Sequence, residues 1–287
     1  MTERFNILIV QPAEYGTYAP FFGPAQVLYF GLRRLGYDAR IAANEFLRDA
    51  TNIVLGAHHL VAELATELPA HTLIYNTEPV RSDNEVAAAL APLMARFEVW
   101  DHSLANLAAW RSLGMGERVR YLQPGYQPES TTIDPATPTD IDVLFYGNVS
   151  PRRMVVLETI ARAGIALNVA CGVYRRERDA LLARAKIVLN VHATERSALE
   201  MERVAHVLAN RRALVTEQGP NSAIDADLRD GIAGGTAAEL TGLCRELLAD
   251  DARRLALAER GFELFSRRDF SASLREVLDA RDDARPR

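Results

Sequence analysis

The chain alternates short β-rich apolar runs with amphipathic helical stretches, stops, and then begins the same alternation again. This rhythm constrains the fold more than any other feature. Strands separated by helix-length connections pair in parallel and bury both faces under helices. In the first half the spacing predicts strands over Ile7–Val10, Ala39–Ala42, Asn52–Leu55, Thr72–Tyr75, Glu98–Trp100 and Val119–Leu122. Helices are predicted over Gly23–Leu35, Leu60–Leu68, Glu85–Phe97 and Leu104–Leu113, with Ser103 placed to cap the last of them. The run Gln123–Asp140, QPGYQPESTTIDPATPTD, then carries four prolines, and neither a helix nor a central strand can pass through it. Beyond it the spacing predicts strands over Asp142–Tyr146, Ala166–Ala170, Lys186–Val191 and Ala213–Thr216. Helices are predicted over Arg153–Ala163, Arg176–Ala185 and Ala198–Asn210, followed by a long polar-faced helical tail over Ala237–Arg267. The reading is an α/β protein of two Rossmann-like domains, residues 1–124 and 141–287. A Pro-rich linker at 125–140 joins them, and they are expected to face each other across a cleft.

Composition narrows the function classes. With 287 residues, 48% apolar and 25% charged, the chain can fill two ordinary cores. A formal charge of −5 argues against a nucleic-acid partner, which would show a basic face. Lys186 is the only lysine, so an anionic ligand would be held by arginines or backbone N–H groups. Cys171 and Cys244 lie far apart without metal-ligand spacing; Cys171 follows an apolar run and is expected to be packed. The start MTERFNILIVQPAEYG mixes acid and base around a short apolar run, which predicts a first strand and not a secretion signal. No apolar stretch approaches about 18 residues, so no transmembrane segment is expected and the cytoplasm is the expected location. Asp225–Asp227 (DAD) falls in a loop, and Asp250-Asp251 is expected to be a solvated face or a cap, so no metal site is expected.

In open parallel sheets ligands bind beyond the carboxyl ends of the strands. Three such ends in the second half carry chemistry. In FYGNVSPRR, Gly147 and Asn148 end a strand and Pro151 opens a helix, whose N-terminus with Arg152 and Arg153 forms either a pyrophosphate cradle or an ordinary turn with solvated arginines. In ACGVYRRERDALL, Gly172 ends a strand and Tyr174 either stacks on a base or lies on the surface. In KIVLNVHATERSALEMERVAHVLANRRALVTE, Asn190 and His192 sit at a buried strand end, and Glu195, Glu200, Glu202 and Arg203 then enter a helix, on which Arg203 and His206 share a face. Polar groups at such a mouth bond to one another or face a ligand.

The order strand-Gly, helix, strand-Gly, ERDALLARAK, IVLNVHA, acidic helix, LANRRALVTE resembles the donor domain of bacterial GT-B glycosyltransferases of the family 1 type. VWDHSLANLAAWRSLG and VRYLQPGYQP resemble the end of their N-terminal domain and linker, and the matches cover roughly half the chain. The resemblance implies a nucleotide-diphosphate sugar on the C-terminal domain, an acceptor on the N-terminal domain, and a hexosyltransferase needing neither metal nor cofactor. By position, Gly147 and Asn148 would meet the diphosphate, Gly172 and Tyr174 the base, and Glu202 and Arg203 the sugar, ribose or diphosphate. One departure is plain: where many relatives carry the second of two glutamates spaced by eight, this sequence has His206. The resemblance further implies that the chain after about Arg268 crosses back to the first domain, with the final few residues disordered.

In the first half, QPAEYGTYAPFFGP suits either an acceptor-binding lip or a packed loop. An inverting transfer needs one base at the acceptor hydroxyl, and His58, Glu78 and Asp101 all follow predicted strands. His58 is the first choice and Glu78 the second. The acceptor is open among saccharide, natural product, lipid-linked glycan and protein. Two other functions stay open: a nucleotide-sugar epimerase, and a non-catalytic binding or partner subunit that kept the fold. A dehydrogenase is disfavoured because QPAEYG replaces the GxGxxG fingerprint after the first strand.

Overall fold

Alternate residues of the first strand go to opposite cores, which is what a strand covered on both faces requires. In β1 (Arg4–Ile9), Phe5, Ile7 and Ile9 join one buried cluster and Leu8 joins another. The computed structural model describes residues 3–12, 19–60, 62–81, 85–195, 197–220 and 222–283. The chain divides into two units, residues 1–127 with 269–287, and residues 128–268.

The first unit contains β1, α1 (Ala19–Arg34), β2 (Asp38–Ala43), β3 (Thr51–Leu55), α2 (Ala62–Glu67), β4 (Thr72–Asn76), α3 (Glu85–Met94), β5 (Glu98–Asp101), α4 (Leu104–Ser112) and β6 (Val119–Tyr121). Its sheet runs β2-β1-β3-β4-β5-β6, and every paired strand is parallel. One face packs Leu28 and Leu32 of α1, together with Phe270, Leu274 and Val277 from the chain's last helix; the other packs Leu90 and Leu93 of α3 and Trp110 of α4. The close approach of the last helix depends on Gly31, where a Cβ would lie 3.0 Å from Leu274 and Phe270. Ser103 caps α4, its Oγ accepting from the Asn106 N–H. Of the aromatic loop QPAEYGTYAPFFGP, residues 13–18 lie outside the described residues.

The second unit contains β7 (Ile141–Tyr146), α5 (Pro151–Arg162), β8 (Leu167–Ala170), α6 (Arg175–Arg184), β9 (Ala185–Asn190), α7 (Met201–Ala209), β10 (Ala213–Glu217), β11 (Ala233–Gly235), α8 (Leu240–Ala249) and α9 (Asp251–Ser266). Its parallel sheet runs β11-β10-β9-β7-β8. Val143, Phe145, Ile187, Leu189 and Val215 pack one face against Leu157 and Ile160 of α5 and Cys244 of α8. The final helix α10 (Phe270–Asp283) returns to the first unit, where the Phe270 N–H donates to the Tyr126 carbonyl and Gln127 Nε2 donates to Ser271 Oγ at 3.0 Å. The last four residues, expected to be disordered, lie outside the described residues.

The Pro-rich segment after Gln127 is docked: Asn210 at the end of α7 accepts from the Thr132 and Ile133 N–H groups at 2.7 and 3.1 Å and donates to the Ser130 carbonyl. Three local expectations are corrected. The helix predicted from Ala198 begins at Met201, because Glu200 takes a non-helical backbone (ψ 78°) while its side chain engages two arginines. The helical tail is two helices, broken where Asp250 accepts from the Arg253 N–H and caps the second. Cys171 is exposed beyond the edge strand β8; Cys244 is the packed cysteine, its thiol pushed up to about 12 by burial.

Candidate functional site

The second sheet reverses its winding between β7 and β9, and in such sheets ligands bind beyond the carboxyl ends of the strands at that point. β7 ends at Tyr146, and Gly147 follows with φ +127°, a conformation that strains any other residue. A Cβ there would lie 2.8 Å from Nη2 of Arg203. Arg203, on the first turn of α7, is only 9% exposed and lies over the end of β7. Its Nη2 donates to the Tyr146 carbonyl at 3.0 Å, its Nη1 donates to Asn190 Oδ1, and its guanidinium stacks 5.1 Å from the Tyr146 ring centre. Asn190, the last residue of β9, is fixed in turn by donating to Thr216 Oγ1 at 2.9 Å.

A ring of ion pairs surrounds this centre. Glu200 bridges two guanidiniums, with Arg203 at 2.6 Å and Arg153 on its other oxygen. Arg153 is buried; it also donates to the carbonyls of Val191 at 2.7 Å and Asn148 at 2.9 Å, and burial pulls its guanidinium below its ordinary value despite Glu200. Arg152 grips Glu217 with both Nη atoms and donates to the His192 carbonyl. Burial opposes the charge on Glu217, yet Arg152 and the His192 N–H hold its carboxyl below the usual range. The arginines therefore do not project as solvated cations: each is tied to a carboxylate from a distant strand end or helix start. Ser150 caps α5, with Pro151 at its first position.

Three buried polar atoms at this mouth make no hydrogen bond among the described residues: Nε of Arg203, the Tyr146 hydroxyl and Nδ1 of His192. Burial holds Tyr146 above and His192 below their ordinary values, so both are neutral near pH 7. Nε2 of His192 meets the buried Ser222 hydroxyl at 2.8 Å, a partner the sequence reading missed. Unpaired buried polar atoms are costly, and their clustering at a switch point makes this mouth a candidate ligand site.

The remaining expected residues divide. His206 does not join Arg203: it points to Asp179 of α6 at 2.9 Å, and burial lowers its pKa. Against its own burial, Asp179 is drawn down to about 2 by His206 and Arg178. Gly172 (φ +68°) and half-buried Tyr174 lie between β8 and α6, one strand out from the switch point. Asn148 and Glu202 are exposed. Glu200 and Glu217, rather than Glu202, supply the carboxylates of the centre.

The first sheet has its own switch point, between β1 and β3. Gly56 (φ +71°) ends β3 so tightly that a Cβ would meet the Val10 carbonyl at 3.2 Å. His58 follows in a single 3-10 turn, its ring 6.1 Å from Phe21 and 3.9 Å from His59. Burial, with His59, lowers His58 to about 4, and its ring nitrogens make no hydrogen bond among the described residues. Glu78 is half-buried beyond β4, its main chain clamped by Asn76 and Asn106. Asp101 is fully buried at the end of β5. It accepts from Asn76, Asn106, Trp110 and the Ser103 N–H, and burial raises it to about 6. Its lone pairs are committed to bracing that corner, so it takes no further proton without releasing a bond. Asp225 and Asp227 both bind Arg268, the last residue of the second unit. Among the described residues no group of three His, Cys, Asp or Glu converges as a metal site, and no helix is long and apolar enough to cross a membrane.

Two parallel sheets flanked by helices, each reversing its winding once, define the α/β architecture of GT-B glycosyltransferases. Solved structures match it along almost the whole chain. HepE of Anabaena, in complex with UDP and glucose, superposes with a TM-score of 0.66 at 10% identity, covering 97% of this chain and 99% of that one. AviGT4, a glycosyltransferase involved in avilamycin A biosynthesis, gives 0.60 at 14% identity, covering 96% and 97%. WaaG, a glycosyltransferase of lipopolysaccharide biosynthesis, gives 0.58 at 13%, covering 96% and 98%. Likeness at these identities shows the fold. No model of a known protein family matches the chain. An uncharacterised mimivirus protein, L140, is 24% identical over 171 residues, 56% of this chain and 54% of its own length. The chain thus spans about half the length of the curated relative it matches.

Proposed function

We propose that the chain is a glycosyltransferase that takes its sugar from a nucleoside-diphosphate donor held by the second unit. The observation that carries this reading is the set of unpaired buried polar atoms on Arg203, Tyr146 and His192, gathered around Gly147 at the switch point between β7 and β9. The UDP and UDP-glucose bound to HepE lend support from the fold side. In this reading Gly147 lets a diphosphate approach the backbone, the N-terminus of α5 faces its charge, and the Nε–H of Arg203 is the donor left for an oxygen. Gly172 and Tyr174 flank the base. The leaving diphosphate is stabilised by these groups without a metal, and His58, neutral near pH 7, is the base for an acceptor hydroxyl. The transferred sugar is a hexose, the acceptor is unassigned, and no nucleic acid takes part; the protein works in the cytoplasm.

The test is a thermal-shift panel of nucleoside diphosphates and their sugars on the full chain. Selective stabilisation by one of them, lost in Arg203→Ala, is the expected result. No response to any member removes the donor reading. Because Arg152, Arg153 and Arg203 are already paired with carboxylates, a binding subunit without turnover is the second reading. Release of free nucleoside diphosphate from the stabilising sugar donor separates the two.

A further inference from the structure

β9 begins at Ala185 and β10 at Ala213, and both residues line a cavity of about 220 Å3. This cavity therefore lies at the opposite edge of the second sheet from Asn190 and Glu217, which end the same strands. Its walls carry four cations, Lys186, Arg211, Arg212 and Arg254, and no carboxylate. Thr137 and Thr139 of the docked Pro-rich segment close it with two hydroxyls.

The charges are not balanced from within. Lys186 meets Asp142 at 2.6 Å, Arg211 meets Glu259 at 3.1 Å and Arg254 meets Asp251 at 2.6 Å, each on a partly or largely exposed carboxylate. Arg212 meets none. It is 6% exposed, and its guanidinium donates only to the carbonyls of Leu182, Ala183 and Arg211 at 2.8–3.2 Å. A buried guanidinium with no carboxylate in contact is a costly arrangement, and three carbonyls leave two of its five N–H groups to spare. Arg254 is equally buried; only its Nη1 is bonded, so Nε and Nη2 have no partner among the described residues. Arg211 holds a left-handed backbone (φ +49°), unusual for a side chain of that size, and stacks flat on Phe262 with its guanidinium carbon 3.4 Å from the ring centre.

We propose that this cavity binds a compact anion bearing a phosphate group, at a site separate from the mouth of β7 and β9. Phosphate fits the forked guanidinium donors and would place a counter-charge in direct contact with Arg212. The volume lies below the roughly 300 Å3 at which drug-sized pockets begin, which limits the ligand to a small phosphorylated metabolite or inorganic phosphate itself. The inference does not depend on the nucleotide reading. It follows that the bound anion ties together the segment before β7, the starts of β9 and β10, and α9.

Backbone amide NMR on the full chain tests it, titrating inorganic phosphate, pyrophosphate and a hexose monophosphate against sodium chloride of equal ionic strength. The expected result is saturable shifts at Thr137, Thr139, Lys186 and Ala213 that chloride does not produce. Arg254→Gln should weaken binding at least tenfold. Should that variant fail to fold, Lys186→Gln serves the same purpose. A hexose monophosphate binding at least tenfold tighter than phosphate identifies an organic ligand; equal binding identifies the free ion. Shifts that never saturate, or that survive both substitutions unchanged, overturn the proposal.

Discussion

Arg203 shows how one side chain can organise a strand end. It reads the last carbonyl of β7 and the last side chain of β9, and it excludes any residue but glycine at 147. Gly147→Ala is expected to cost about 1–3 kcal/mol, from positive-φ strain and contact with the guanidinium, measured by urea denaturation. The same variant should lose any stabilisation by nucleoside diphosphates. His58 gives a second residue-scale prediction. If it is the acceptor base, His58→Asn should lower turnover by about 10²–10⁴-fold with the fold intact. The acid limb of the wild-type rate should then lie near pH 4, since protonation only there removes the base. His102 makes a stability prediction with a definite sign. Burial lowers it to about 4, so as pH falls from about 6.5 to 4 the unfolded chain takes up a proton that the folded chain refuses, and stability falls. His102→Gln should remove up to about 3 kcal/mol of that loss between pH 7 and pH 4, read from urea midpoints at each pH.

At the scale of elements, α7 does two jobs: its start carries Arg203 and its end carries Asn210. Asn210→Ala leaves the Thr132 and Ile133 N–H groups and the Ser130 carbonyl without their partner, and should cost about 2 kcal/mol by chemical denaturation. The sequence made the strands legible because runs such as ILIV and IVLN are too apolar and too short for anything but buried parallel strands. It hid β11, since Ala233-Gly234-Gly235 has neither branched nor bulky residues and is a strand only through its backbone pairing with β10. It left Asp250 open between a solvated face and a cap, because helical periodicity continues on both sides of that carboxylate; the cap is what the structure shows. The site was half legible. Gly147 and Asn190 are marked by their strand ends, and Arg203 by the helix that follows. The pairing of Arg153 with Glu200 spans 47 residues and that of Arg152 with Glu217 spans 65, and only the strand order β10-β9-β7 brings those partners together. His206 misled because spacing fixes a helix face but not which neighbouring helix supplies the partner; Asp179 did.

For the whole molecule, the main fact is that the first unit is made from two separate stretches of chain. Removing residues after Arg268 takes Phe270, Leu274, Val277 and Leu278 out of the cluster built on α1 and β1. Burial of four such side chains contributes several kcal/mol, at about 1.5–3 kcal/mol each. The truncated chain is therefore expected to lose cooperative unfolding of its first unit, seen as a lowered and broadened thermal transition. The buried Trp100 and Trp110 both lie in that unit and offer a fluorescence probe for it. The continuous second unit holds its own core and its own candidate site.

This discontinuity sets an order of events during synthesis. A ribosome releases residues 1–127 before residues 128–268, yet that earlier stretch cannot close its core until α10 has left the exit tunnel. The middle of the chain, begun later, has all its residues in hand earlier. The first-made half must therefore wait, with the α1 face of its sheet uncovered, while the second-made half finishes.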